Sequence, residues 1–445
     1  MSNISDNEKM NDRVVLISNA IVGVACGFTA GMLFDSGSLH VILTHAEGLR
    51  YTSAQIELVF LCGIFGLGIA FPVAYLQRHI RPYYINSIAC LGSVTGFLLL
   101  WTATLYNGWF WDKAGVLAVY NFLTGHSIGY AYYTSLWVGM SSFPTVKNVF
   151  SWIHHLPLVC SALLLWIIVT DLHHLLPVQV IVVMMASFIS IVLLRTPSRV
   201  EAPVRVTGDA RQFTLPAYEY PASDTESIAD SDDSGVGEGR ARMIPGSMDR
   251  WRRILDAFYE SRPILITFAL ATSTSMNLAQ EPIVNAEARF VLCVVGATVG
   301  LFVTYLPGTS RTNFLLVVLA VRAVFLMIGI AEYNAPEVSI LLYCSGGFVE
   351  SVFWTVIPVM IYELRGRKRL TLLWSCAVLC CAVVTALQSG LVLLFFNTES
   401  SFAICKEDKC PLLLMELRFA LIMCAIIAIF WLKQYHPADR NSSNS

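Results

Sequence analysis

Glu350 is the thirteenth of 24 residues in the apolar run Val338–Ile361. If that run crosses a bilayer, the carboxyl lies near the midplane, where an ionised group is costly and by default marks a function. Exchanging a proton is the ordinary way for a desolvated carboxyl to lower that cost. Glu350 is therefore a candidate for proton coupling or solute contact; the alternative is a neutral acid hydrogen-bonded among its neighbours. Trp354, one helical turn on, shares its face. His126 is the thirteenth of 25 residues in Ala114–Val138, and Tyr130 and Tyr133 follow it at helical spacing. Tyr120, Asn121, Thr124 and Tyr132 lie in the same run. Such a polar, aromatic stripe either contacts an organic solute or packs as satisfied core. A third group, Thr272, Ser273, Thr274, Ser275 and Asn277, fills five of six consecutive positions with polar side chains. Each needs a partner, either in an aqueous cavity or on another helix. Arg322 lies midway along Phe314–Ala331. It either pairs with a carboxylate or reaches along its own stem toward the membrane surface.

These residues need a scaffold, and composition states its class. The chain has 445 residues, 56% apolar and 13% charged, against roughly 45–50% and about 25% in soluble proteins. Its mean hydropathy is +0.63. A water-soluble enzyme is excluded. With 29 Lys plus Arg against 31 Asp plus Glu, there is no basic excess to track phosphates, so no nucleic-acid partner is expected.

About 20 apolar residues cross a hydrocarbon core as a helix. On that ruler the first half predicts spans at Val14–Phe34, Ile56–Leu76, Tyr83–Leu105, Ala114–Val138, Phe150–Val169 and Pro177–Leu194. The second half predicts Ile264–Gln280, Phe290–Leu306, Phe314–Ala331, Val338–Ile361, Leu370–Phe396 and Pro411–Leu432. Runs this continuous are helices rather than barrel strands, which would alternate over ~10 residues. The first is too long for a signal-peptide core, so no cleavable leader is expected.

The expected organisation is a cytosolic tail (1–13), a six-helix bundle (14–194), a largely disordered cytosolic linker (195–263), a second bundle (264–432) and a cytosolic tail (433–445). With both termini cytosolic, the short inner segments carry 12 Lys and Arg and the outer segments 5, Arg289 among the latter, as the positive-inside rule requires. The host membrane is the plasma membrane or an endomembrane.

In the linker, the acidic, serine-rich stretch Asp224–Gly239 cannot bury apolar surface. The segment after it, with Arg250, Trp251, Arg252 and Arg253, reads either as an amphipathic helix on the inner leaflet or as a solvated linker end. Gly23, Gly27 and Gly31 form two overlapping small-residue steps that let a neighbouring helix approach closely. Cys405 and Cys410, in an outer loop, are either a disulfide or two free thiols. Arg418 is expected to reach the headgroups. His154-His155 and His173-His174 are 19 residues apart, roughly 28 Å along a helix, and cannot share a metal. No nucleophile elbow, zinc-protease motif or phosphate loop is present. No enzyme, metal or cofactor is expected.

Three stretches resemble one family. They are YTSAQIELVF from Tyr51 with the run through Tyr75, Pro82, Gly96 and Trp101; Phe143-Pro144; and PVMIYELRGRKR, with Pro358, Glu363, Leu364, Gly366 and Lys368. Together they resemble the nodulin-like branch of the major facilitator superfamily. The loop after the second span departs from that pattern, with Leu76 and His79 where the family has Asp and Gly, and Arg81 retained. Lys147-Asn148 stand where the branch has Arg-Gly, and Trp152 and Leu156 where it has glycines. The resemblance implies an all-α fold of 12 transmembrane helices in two pseudo-symmetric six-helix bundles, whose first, fourth, seventh and tenth spans line a central cavity. That places Glu350 in the cavity and makes Arg81, Glu363 and Lys368 gating candidates. The implied function is secondary transport of a small solute by alternating access, with protons as a coupling partner. The alternative is a transporter-like sensor or adaptor that binds without turnover.

Overall fold

The computed structural model describes residues 2–34, 43, 51–168, 175–195, 247–274, 286–332, 335–396 and 410–434. One compact unit comprises Met1–Pro197 with Glu260–Ser445; Ser198–Tyr259 form a second. Of the second unit, the described part is the start of one helix.

Among the described residues, twelve helices have 17 residues or more and there is no strand. They are α1 (Ser2–Gly31), α2 (Ser53–Ile69), α3 (Pro82–Leu105), α4 (Ala114–Ser142), α5 (Lys147–Ile168), α6 (Leu175–Leu193), α7 (Ser247–Ser273), α8 (Ala286–Thr304), α9 (Gly308–Ala331), α10 (Pro336–Arg365), α11 (Arg367–Phe396) and α12 (Cys410–Gln434). Eight (α1, α2 with its continuation, α3, α6, α9, α10, α11 and α12) contain segments long and apolar enough to cross a membrane. Helix α4 has the length, 29 residues, but its polar stripe lowers its hydropathy. The apolar part of α8, Ala288–Thr304, is shorter.

Local signals set the helix ends. Thr52 and Gln55 close a capping box at α2: the Thr52 hydroxyl accepts from the Gln55 N–H, and the Gln55 carboxamide oxygen accepts from the Thr52 N–H at 2.9 Å. Pro82 and Pro336 occupy first-turn positions of α3 and α10, where a missing N–H costs nothing. The predicted second span is interrupted. Helix α2 stops at Ile69, and a short helix, Val73–His79, follows Pro72. Gly366, at φ +73°, turns the chain from α10 into α11, a backbone that glycine adopts without the Cβ penalty.

The polarity of this unit is inverted relative to a soluble protein. Leu91, Phe188, Phe302, Leu387 and Ile427 face outward, while Glu57, Arg289, Arg322, Glu350, His154 and His155 are buried. An apolar exterior around a polar interior is what lipid solvent selects. The protein is an all-α, multi-pass membrane protein.

Helix α1 packs on α5, α2 on α4, α3 on α4 and α6, α8 on α10, and α9 on α10 and α12. Contacts between the first and second halves of the sequence run through α2 with α11 and α5 with α8, and further through α5 with α10 and α4 with α11. Small residues set the close approaches. A Cβ at Gly27 or Gly31 would overlap the carbonyl of His154 or Leu158 on α5, and one at Gly68 would meet the Leu379 backbone of α11 at 2.7 Å.

Candidate functional site

Glu350 is the fifteenth of the 30 residues of α10 and is buried. Its partner is Arg289, whose Nη2 donates to Oε2 at 3.3 Å. Arg289 was expected in an outer loop. Instead it sits in the first turn of α8, buried, its guanidinium 4.3 Å over the Tyr343 ring. The signal available in the sequence was its place one residue before an apolar run, which a helix beginning at Ala286 carries inside. One turn along α8, Cys293 packs against Cys160 of α5, so the ion pair borders the seam between the two halves. A buried ion pair roughly breaks even energetically, whereas a buried charge stripped of its partner costs about 3–5 kcal/mol. Whatever neutralises or displaces one member here therefore acts strongly on the other.

Trp354, one turn below Glu350, is fully buried. Its ring contacts Phe34, His155, Phe268 and Trp374, with centroids 5.1–5.9 Å away. Tyr132 on α4 donates to His155 Nε2 at 2.6 Å, because His155 Nδ1 gives its proton to the Ser151 carbonyl at 2.5 Å. Trp374 Nε1 donates to the same Tyr132 oxygen at 3.4 Å, and Ser151 donates to the Thr355 carbonyl across the seam at 2.7 Å. This network lay beyond sequence reasoning: its members come from five helices and the segment after α1, and Tyr132 faces away from the His126 stripe.

The α4 stripe divides. His126 and Tyr130 are half-buried with rings 4.8 Å apart, while Tyr133 is buried against Tyr132 at 5.2 Å. Asn121 donates to the Val59 carbonyl of α2 at 2.8 Å. Among the described residues, no hydrogen bond, ion pair or ring contact joins His126 or Asn121 to Glu350. On α7 the hydroxyls turn to their own backbone: Thr272 to Phe268 at 2.7 Å, Ser273 to Leu270 at 3.2 Å and Thr274 to Ala271 at 2.8 Å. Thr272 also reaches Cys381 of α11 at 3.1 Å. Ser275 and Asn277 lie outside the described residues, as do His173-His174, Cys405 and the linker from 196 to 246. Arg322 donates to the Leu342 carbonyl (2.6 Å) and Ser345 (2.5 Å), fixing α9 to α10. Arg418, expected at the headgroups, is buried. With the Gln388 amide oriented to satisfy both neighbours, its oxygen lies 3.3 Å from Arg418 Nε and its nitrogen 3.2 Å from the Ser273 carbonyl.

Both ends of the seam are tied. At one end, Glu363 pairs with Lys147 of α5 at 3.1 Å and with Arg311. Arg78 donates to the Lys368 carbonyl at 2.9 Å, and Thr371 to Gln77 at 2.9 Å. Arg81 caps the backbone start of α3 and is exposed. At the opposite end, Ser389 of α11 donates to Glu57 of α2 at 2.6 Å. Within the first half, Tyr51 donates to the Phe110 carbonyl at 2.5 Å. Partly exposed ion pairs contribute only about 0–1 kcal/mol each and single hydrogen bonds about 0.5–3 kcal/mol, so these ties are separable.

No protein-family model matches this chain, and no curated protein aligns with it.

Proposed function

We propose that this protein is a secondary transporter of a small solute that works by alternating access, with Glu350 as its proton-exchanging group. The observation that carries the reading is the buried Glu350–Arg289 pair, which joins the middle of α10 to the first turn of α8 at 3.3 Å beside the seam between the halves. Ionisable residues held inside a membrane protein mark ion and solute pathways. Protonation of Glu350 releases Arg289, so the two protonation states differ in what the site binds, and coupling requires such a difference.

The packing supports twelve spans in two pseudo-symmetric bundles, about 14–194 and 264–432. Exchanging each helix with the one six places along maps α2·α11 onto α5·α8, α2·α4 onto α8·α10, and α3·α6 onto α9·α12, and all six packings occur. A pseudo-two-fold of this kind is the architecture of rocking transporters. The resemblance to the nodulin-like branch of the major facilitator superfamily agrees with it. On this reading both termini are cytosolic, the Lys147–Glu363 end is the inner gate and the Glu57–Ser389 end the outer one.

The test is proteoliposome flux. Purified protein is screened against metabolites for thermal stabilisation, because a ligand stabilises the state it binds, and each stabilising compound is then offered under a pH gradient. Gradient-driven uptake is expected in the wild type and lost in Glu350→Gln protein that still reaches the membrane. Uptake with unchanged pH dependence in that variant would remove Glu350 from the mechanism. Ligand binding without flux, together with signalling lost on deletion of 215–245, would favour a sensor.

A further inference from the structure

Where the two halves meet, the centre of the seam is filled by rings from six segments: Phe34 after α1, Tyr132 of α4, His155 of α5, Phe268 of α7, Trp354 of α10 and Trp374 of α11. Trp354 and Trp374 stand edge to face at 5.1 Å and 89°. Phe268 lies 5.1 Å from the first and 4.8 Å from the second, and His155 lies 5.9 Å and 5.5 Å from them. Aliphatic residues would fill such a centre more simply. Rings packed edge to face present π faces that another ring can take over when they part. The two indole N–H groups also differ. That of Trp374 is used, on the Tyr132 oxygen. That of Trp354 is fully buried and faces the Glu350 carboxyl, out of line for a hydrogen bond of normal geometry. A buried donor held by a poorly aligned acceptor is only part-satisfied, and a better-placed acceptor on a guest would complete it.

We propose that the solute received at this seam is a planar aromatic compound carrying a hydrogen-bond acceptor, with its ring between Trp354 and Trp374 and its acceptor on the Trp354 N–H. The inference rests on the alternating-access reading, because the closed cluster admits a guest only when the halves separate. The empty site collapses onto its own rings, and the guest replaces those ring–ring contacts one for one. Glu350 and Arg289 stand one turn away, so a charge on the solute is read there and the ring is read here.

Binding to the full-length protein in lipid nanodiscs, measured by calorimetry, tests this separately from flux. The probes are 2-naphthamide and its saturated counterpart decahydro-2-naphthamide, with 2-naphthoate and 2-naphthylmethylammonium to read charge preference. At least one naphthyl probe is expected to bind at least tenfold tighter than the saturated amide. Trp354→Phe keeps the ring and deletes the donor; it should weaken the tightest acceptor-bearing naphthyl probe by roughly tenfold with the thermal midpoint retained. Equal binding of the saturated amide, no naphthyl binding at millimolar concentration, or unchanged affinity in a folded Trp354→Phe variant would overturn the proposal. Naphthyl binding without flux would sink the transporter reading and leave the aromatic site standing. Flux of an aliphatic solute without naphthyl binding would do the reverse.

Discussion

Arg289 and Glu350 divide one electrostatic problem between them. Neither is tolerable alone at that depth, and together they cost little. Arg289→Met leaves the carboxylate buried without its cation and should destabilise the protein by about 3–5 kcal/mol. Replacing both members by Met should restore most of that loss. Thermal unfolding of the two single variants and the double variant in one detergent measures the coupling; additive losses would mean that the pair does not interact. Glu350 was legible in the sequence because a carboxylate within an apolar run is conspicuous. Arg289 was not, because it precedes its run by one residue and a charge there is equally at home in a loop. The same limit applies to the ring cluster. His126, Tyr130 and Tyr133 announce themselves by spacing, but Tyr132 meets His155, Trp374 and Trp354 only after distant segments fold together.

At the scale of helices, backbone proximity is set by side chains that are missing. The step Gly23, Gly27, Gly31 predicts a close neighbour, and the neighbour is α5, seated on His154 and Leu158. Gly27→Ala drives a methyl group into the His154 carbonyl and should destabilise by about 1–3 kcal/mol. Gly390 on α11 has open space around it; there Ala should be neutral or stabilise by about 0.5–1 kcal/mol through helix propensity. Unfolding midpoints of the two variants, compared with wild type, separate packing from propensity. Helix number and order were legible because each run is apolar over about 17 residues or more and is separated from the next by polar or turn residues. The break between α2 and Val73–His79 follows from Pro72. The partners of most helices were not legible: apart from the polar stretches of the fourth and seventh runs, the runs are apolar on all sides, so no amphipathic stripe marks which face meets protein and which meets lipid.

At the scale of the whole membrane unit, the fold joins its halves by a buried aromatic centre with a weak tie at each end. On the proposed transporter reading, that arrangement opens at one end while the other stays closed. Removing one tie should bias the equilibrium: Glu363→Gln loses charge from the pairs with Lys147 and Arg311 and should favour opening at that end, read as faster labelling of a cysteine at Asn148. Unchanged labelling would mean that the tie does not hold the gate. Double electron–electron resonance in nanodiscs tests the central claim most directly, with one spin-label pair at the exposed positions Arg81 and Lys368 and another at Thr52 and Glu337 at the opposite end. Alternating access predicts that lowering the pH or adding a stabilising solute shifts the two distance distributions in opposite directions, one lengthening as the other shortens. Distances at both ends that stay fixed, or that lengthen together, would contradict it.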